Sequence, residues 1–365
     1  MIFFVITTMW CFLILLIGLR SDSIMVAESW PHKPIVDVAR NNQRIECFFT
    51  FMSFLLLWSL TAFRSANIGN DTKTYIYYFD IYSKGLDRTR TFEVGYQYLN
   101  YFIGKFTSDH HVFLMIIATI MYGGVIWYIY KNSKNIAVSF CLFYCYFFSA
   151  FTSMFRQGIA MAIVLFGYHY LKKEKKLLAA VFFLTAMTFH TTAVVCFFLY
   201  LNSSIMRKKK FVFGMTIVCG FISSTNILGK VVDVFLPRYS HYFVSRYASS
   251  GWLAVSYNLL LYLIWYFLIN KSIDDSNKQD QIVATNFALL LIFAAFGFSV
   301  NLFTRVGEYF LLIAIAEIPN MLYRGKVKHF RKWLLGICTM SLIMFVVTLI
   351  YRPGWNHIYP YEFWR

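Results

Sequence analysis

Nine ionisable side chains from six separate places stand out as candidates for chemistry: Arg64, Asp71, Glu93, Arg156, His190, Arg238, Arg246, Arg305 and Glu308. Arginine presents a planar fork that pairs with phosphate oxygens. The carboxylates and the imidazole can take or give a proton. Several arginines near a membrane surface suit a lipid-linked diphosphate, and the many aromatics suit both lipid and sugar faces. Together these types fit transfer of a glycosyl group from a polyprenyl diphosphate.

Each residue also has a plainer role. Arg64 follows an apolar run and could sit at the headgroup level. Asp71, in Asn67-Ile68-Gly69-Asn70-Asp71, could cap a helix. Glu93 could be a solvated loop charge, Arg156 an interfacial anchor and His190 a hydrogen-bonded core residue. Arg305 and Glu308, spaced i, i+3, could pair with each other. Arg238 and Arg246 fall in a stretch that reads as an amphipathic helix on the membrane surface. The aromatic tail from Trp355 to Trp364 reads as an interfacial belt.

The elements that carry these groups are apolar and long. The chain has 365 residues, 59% hydrophobic and only 14% charged, with mean hydropathy +0.57. A soluble domain carries roughly a quarter charged residues. Runs near 2–19, 45–62, 110–129, 136–153, 157–171, 177–189, 191–205, 211–225, 252–270, 282–300, 304–320 and 333–351 predict an all-α polytopic membrane protein with about 10–12 transmembrane helices. Residues 1–365 read as a single integral membrane domain. The run from Ile2 to Leu19 reads as a retained helix, with no basic flank before it and no cleavage site.

Lysine and arginine placement sets the orientation. Loops 20–44, 130–135, 172–176, 206–210, 271–281 and 321–332 are basic and belong in the cytoplasm. Loops 63–109 and 226–251 then face outside. Only thirty or so residues separate the basic clusters at Lys176 and Arg207, so two short crossings of about 20 Å each are expected. That makes a short or re-entrant hairpin with His190 at its tip, tolerated at membrane depth where it is buried in protein or lines a wet cavity. All six places holding the candidate residues reach one face. Charge at membrane depth is expensive and usually faces a watery site.

Other classes are disfavoured. The formal charge of +17 is spent in inter-span clusters, which argues against nucleic-acid binding. The seven cysteines lie in apolar runs without metal-like spacing, and read as core residues. There is no Asp-x-Asp pair and no Walker-type loop, so neither metal nor another cofactor is expected.

The same residues carry a resemblance. Arg64-Ser-Ala-Asn-Ile-Gly69-Asn-Asp71 with Tyr75 and Tyr78, then Glu93-Val-Gly95-Tyr96 opening a helix, then Phe155-Arg156-Gln157-Gly-Ile-Ala160 with Phe189-His190, then Arg305 through Tyr309-Phe310, resemble in order and spacing the EpsG-type exopolysaccharide and O-antigen polymerases, the Wzy class. The likeness runs from about 50 to 325. It implies a GT-C-like helical membrane fold in the bacterial inner membrane. It also implies transfer of a growing glycan from one undecaprenyl diphosphate onto the next lipid-linked repeat unit, on the periplasmic side. The substrates would be the lipid-linked donor and acceptor, with membrane lipids around them and a chain-length regulator as a further partner class. In that frame Arg156 and Arg305 hold the leaving diphosphate, with Arg238, Arg246 and Arg64 as helpers. Gln157, Glu93 and Tyr75 complete the binding set, and His190 or Asp71 is the base. Competing readings are a transferase adding a single branch sugar, a flippase or transporter of lipid-linked sugars, and a structural subunit.

Overall fold

In a computed structural model, residues 2–27, 36–85, 91–201, 204–225, 276–297, 301–324 and 329–364 are described, except for 353; so are 230, 260, 263, 264, 267, 273 and 274. Arg238, Arg246 and most of the expected spans and loops between 226 and 272 lie outside the described residues. The protein is all-α and polytopic. Its helices are α1 (Ile2–Ala27), α2 (Val36–Ala62), α3 (Thr72–Tyr82), α4 (Val94–Gly104), α5 (His110–Asn132), α6 (Ile136–Phe151), α7 (Phe155–Lys172) and α8 (Lys176–Phe189). A 3₁₀ helix, η1 (Thr191–Tyr200), follows, then α9 (Lys209–Ser224), α10 (Lys278–Phe296), α11 (Asn301–Arg324) and α12 (Phe330–Tyr351).

Four described helices are long and apolar enough to cross a membrane: His110–Asn132, Lys278–Phe296, Thr304–Arg324 and Phe330–Tyr351. Shorter apolar stretches include Thr7–Leu19, Glu46–Ala62, Ile136–Phe151 and Lys176–Phe189. Burial sorts them into layers. The apolar stretch of α11 is 89% buried against 33% for α12, so α11 is central and α12 turns much of its surface outward. Thirteen positions of α6 are buried, giving a second central helix that is apolar nearly all round. Pro319 lies inside α11 and removes the donor that the Ile315 carbonyl would receive. The Ser139 hydroxyl of α6 supplies it instead, at 2.9 Å, locking the two central helices together. Among the cysteines, the thiols of Cys11, Cys145 and Cys338 gather around Cys141, all free and buried, in keeping with a packing role.

Two segments differ from the sequence expectation. The loop expected over 20–44 shrinks, because α1 continues to Ala27 and α2 starts at Val36, where neither Gly nor Pro interrupts the chain up to the apolar run. The expected external loop 63–109 contains α3 and α4. Thr72, Tyr75, Phe79 and Tyr82 are buried on one stripe of α3, and Tyr96, Asn100 and Ile103 on one stripe of α4, at the i, i+3, i+4, i+7 spacings that define a helical face.

The hairpin is present. The backbone reverses at His190, and the Tyr200 hydroxyl at the end of η1 donates to the Lys176 carbonyl at the start of α8, 2.6 Å away. Its return arm is a 3₁₀ helix, which rises about 2.0 Å per residue, so ten residues match the reach of fourteen in α8.

The C-terminal tail packs on protein along part of its length, while Tyr359 and Phe363 stay exposed. It folds back over the loop after α2 and contributes backbone pairing there. Ser65 N donates to Glu362 O at 2.9 Å, Trp364 N to Phe63 O at 2.9 Å, and Gly69 N to His357 O at 3.3 Å. Trp364 meets the His111 ring edge-on at 4.1 Å. Gly69 sits at φ +87°, and a Cβ there would lie 2.1 Å from the Thr152 carbonyl oxygen. Gly69→Ala is therefore expected to cost about 3 kcal/mol of stability, read as a lowered melting temperature and poor yield in detergent. A wild-type melting curve would show that the turn is not held this tightly.

Candidate functional site

Helix ends build the site. The C-terminus of α2, the N-termini of α3, α4, α7 and α11, and the hairpin tip after α8 bring Arg64, Asp71, Glu93, Arg156, Arg305 and His190 into one neighbourhood. Residue Arg156 opens α7 and Lys172 ends it, about 24 Å apart along the axis at 1.5 Å per residue. The candidate groups thus lie at the end of the bundle away from Lys172.

Glu93 is the hub. Its Oε2 receives Arg156 Nη1 at 2.5 Å; its Oε1 lies 3.2 Å from His190 Nδ1 and also accepts from Thr191 N at 3.2 Å. Its side chain is only 17% exposed, so the reading as a solvated loop charge does not hold. Burial works against its ionisation, but the His190 hydrogen bond and the Arg156 charge outweigh it and hold the carboxyl down to about 2. An ionised carboxylate only accepts hydrogen bonds, so His190 must place its proton on Nδ1. In the neutral imidazole, Nε2 is then a free acceptor, the form a general base needs.

The Arg156 guanidinium carbon lies over the Phe92 ring, 4.1 Å from its centroid, and its Nε is buried without a hydrogen-bond partner among the described residues. Gln157, next along α7, donates to the Arg305 carbonyl at 2.6 Å and to Glu308 Oε2 at 3.2 Å. Gln157 therefore ties α7 to α11. Arg305 and Glu308 make no ion pair among the described residues, and the Arg305 side chain is exposed and free of described hydrogen bonds. The Tyr309 hydroxyl meets Thr192 Oγ1 at 3.2 Å, joining α11 to the hairpin.

Asp71 precedes α3, but its side chain makes no capping bond, so the cap reading fails. It is half-buried, and burial pushes its carboxyl pKa up while Arg305 and Arg156 pull it back in part. An acid whose folded pKa is raised favours the folded state below the ordinary value, and that advantage is lost as pH rises through the folded value. Asp71→Asn is expected to raise the melting temperature at pH 7, to leave it unchanged near pH 3, and to slow turnover at every pH. Equal melting shifts at both pH values would show that the charge is not the cause.

Arg64 is corrected most. It is 1% exposed, enclosed by protein rather than open to headgroups, and its guanidinium donates to the carbonyls of Thr61 and Thr152 while lying over Phe155 at 4.9 Å. It braces the loop behind the site. Tyr75 is 5% exposed and stacks on Phe155 at 4.5 Å, forming the floor under Arg156 rather than a free wall. Sequence reading missed Phe92, the platform for Arg156; its signal was an aromatic directly before Glu93. Among the described residues no group of three metal-ligating side chains occurs.

These helix-end charges on an all-α membrane bundle define a polytopic membrane protein with a one-sided polar site. A comparison with protein-family models matches the EpsG family over residues 47–363, nearly the whole chain, and the chain belongs to that family. Neither the curated proteins nor the solved structures give a match.

Proposed function

We propose that the protein is a glycosyltransferase of the polymerase type: it joins undecaprenyl-diphosphate-linked repeat units into an O-antigen or exopolysaccharide on the periplasmic face of the bacterial inner membrane. Membership of the EpsG family supports the exopolysaccharide setting and polymerase-type activity. The observation that carries the reading further is the pairing, at one end of the bundle, of an exposed Arg305 and a platform-held Arg156 with a histidine whose Nε2 is free.

In this mechanism the acceptor sugar hydroxyl gives its proton to His190 Nε2 as its oxygen attacks the donor's anomeric carbon. The bond from that carbon to the diphosphate oxygen breaks, and the leaving undecaprenyl diphosphate carries the negative charge away. Arg156 and Arg305 stabilise that charge as it builds, the electrostatic contribution that usually dominates. Asp71, beside both arginines, orients sugar hydroxyls or shares the base role. Glu93 positions both Arg156 and His190.

The test is complementation of a strain deleted for this gene, with the surface glycan read as a gel ladder. Long ladders restored by wild type, and single-repeat material with Arg305→Ala at normal protein level, support a polymerase. A deleted strain that keeps its ladder and loses only a side-branch sugar points to a branch transferase. Lipid-linked units accumulating on the cytoplasmic face point to a flippase.

A further inference from the structure

At the other end of the bundle, α5, α7, α10 and α11 line a polar cavity of about 220 Å³. Five cations line it, Lys131, Lys134, Lys172, Lys173 and Arg324, against two carboxylates, Asp280 and Glu317. The carboxylates are 3% and 1% exposed. Both are already satisfied. Glu317 accepts from Lys172 Nζ at 2.6 Å, from the Tyr168 hydroxyl at 3.2 Å and from Asn320 at 3.2 Å. Asp280 pairs with Arg324 and accepts from Asp274 N at 3.0 Å. Buried carboxylates satisfied in this way leave nothing for the remaining cations. Lys131, Lys134 and Lys173 face the same cavity and make no ion pair among the described residues.

Three exposed lysines that line one hollow present it with positive charge that an anion would offset. The cavity lies between helices at the end that the positive-inside rule assigns to the cytoplasm, where anionic lipid headgroups concentrate. It is far from the catalytic candidates: Arg305 and Arg324 are nineteen residues apart on α11, about 28 Å along the axis. We infer that this cavity is a binding site for a phosphate group, held by Lys131, Lys134 and Lys173 on a rigid base formed by the Lys172–Glu317 and Arg324–Asp280 pairs. The same phosphate chemistry is carried by an anionic phospholipid headgroup and by free phosphate. Basic inter-helix pockets of this kind take lipid headgroups, and each lysine contributes about 1 kcal/mol, a factor of about five.

The site is tested on purified full-length protein, with dioleoyl-phosphatidylglycerol, dioleoyl-phosphatidylcholine and inorganic phosphate as probes, reading lipid retention by native mass spectrometry and melting temperature. Wild type is expected to retain phosphatidylglycerol over phosphatidylcholine. The Lys131→Gln/Lys134→Gln/Lys173→Gln variant should lose about a hundredfold in that affinity. These lysines are exposed, so the variant keeps its fold, and its phosphatidylcholine melting curve verifies that. A control variant, Lys105→Gln/Lys208→Gln/Lys210→Gln, removes equal charge elsewhere and should bind normally. If inorganic phosphate stabilises wild type as well as phosphatidylglycerol does, and the triple variant loses both effects, the site stands with a soluble phosphate as its ligand. Equal loss in the control variant, equal binding by the triple variant, or no preference for either phosphate probe overturns the inference.

Discussion

Glu93→Gln is expected to lower repeat-unit polymerisation about 10³-fold while the protein still reaches the membrane. Glutamine keeps the size of the side chain, and with its carbonyl oxygen turned to Arg156 its amide nitrogen takes the Oε1 position, where Thr191 N loses its acceptor. Two further things change. The ion pair to Arg156 Nη1 at 2.5 Å becomes a neutral contact, leaving a part-buried guanidinium under-compensated. The amide nitrogen can now donate to His190 Nδ1, which moves the imidazole proton to Nε2 and converts the proposed base into a donor. Loss of a general base alone costs 10²–10⁴-fold, and misplacing Arg156 adds to it. The measurement is turnover of lipid-linked repeat units in membrane vesicles, normalised to protein by immunoblot. Glu93→Asp separates charge from reach, since it keeps the carboxylate about 1 Å short, and about 10²-fold loss is expected. A Glu93→Gln enzyme working within a fewfold of wild type would remove Glu93 and the oriented histidine from the mechanism.

That hub role could not be read from the sequence, and the reason is physical. Glu93 lies next to Phe92 and Val94 in the chain, and its partners are 63 and 97 residues away. Hydrophobic periodicity sees spans and reports nothing about which loop charge meets which. The spans themselves were readable because membrane depth demands long apolar runs. The hairpin was readable because two basic clusters bracket too few residues for one ordinary crossing. Arg64 shows the opposite case. An arginine after an apolar run looks like a headgroup anchor, yet carbonyls of Thr61 and Thr152 and the Phe155 face make burial affordable for it. The aromatic tail reads as a belt from composition, which cannot show that the same segment also packs on a neighbouring loop. Its pairing with Phe63, Ser65 and Gly69 is a tertiary fact. The α3 stripe of Thr72, Tyr75, Phe79 and Tyr82 was visible in the sequence, but its length is too short to signal a span.

The two ends of the bundle also differ in a way that bears on the competing transporter reading. Alternating access needs both ends to open around a site near the midplane. Here the proposed chemistry sits at one end. At the other, Glu317 and Asp280 are buried in ion pairs that fasten α7 and α10 to α11. Separating such pairs leaves uncompensated buried charge, at several kcal/mol each. A one-ended candidate site on a fastened base favours the proposed transfer chemistry over passage of substrate through the bundle.

Arg156→Ala is expected to reduce polymerisation at least 10³-fold, about 4 kcal/mol of transition-state stabilisation, and Arg156→Lys to restore less than a tenth of the lost rate. Charge alone would predict good rescue by lysine. The geometry predicts otherwise, because three features of Arg156 need a guanidinium. Its guanidinium carbon lies over the Phe92 ring at 4.1 Å, it gives Nη1 to Glu93, and its Nε is buried without a hydrogen-bond partner among the described residues. A guanidinium can give one Nη to Glu93 and offer the other to a diphosphate oxygen, whereas an ammonium cannot serve Glu93 and phosphate in the same fork geometry. Arg305 offers a second, exposed guanidinium, linked to Arg156 through the Gln157 bond to its carbonyl. If both arginines grip one leaving diphosphate, their losses are coupled: the double alanine variant should fall well short of the product of the single effects. Fully multiplicative losses would mean that the two arginines act on different groups. A lysine variant as fast as wild type would mean that Arg156 supplies only charge, and the diphosphate would then have to be placed elsewhere among the helix ends.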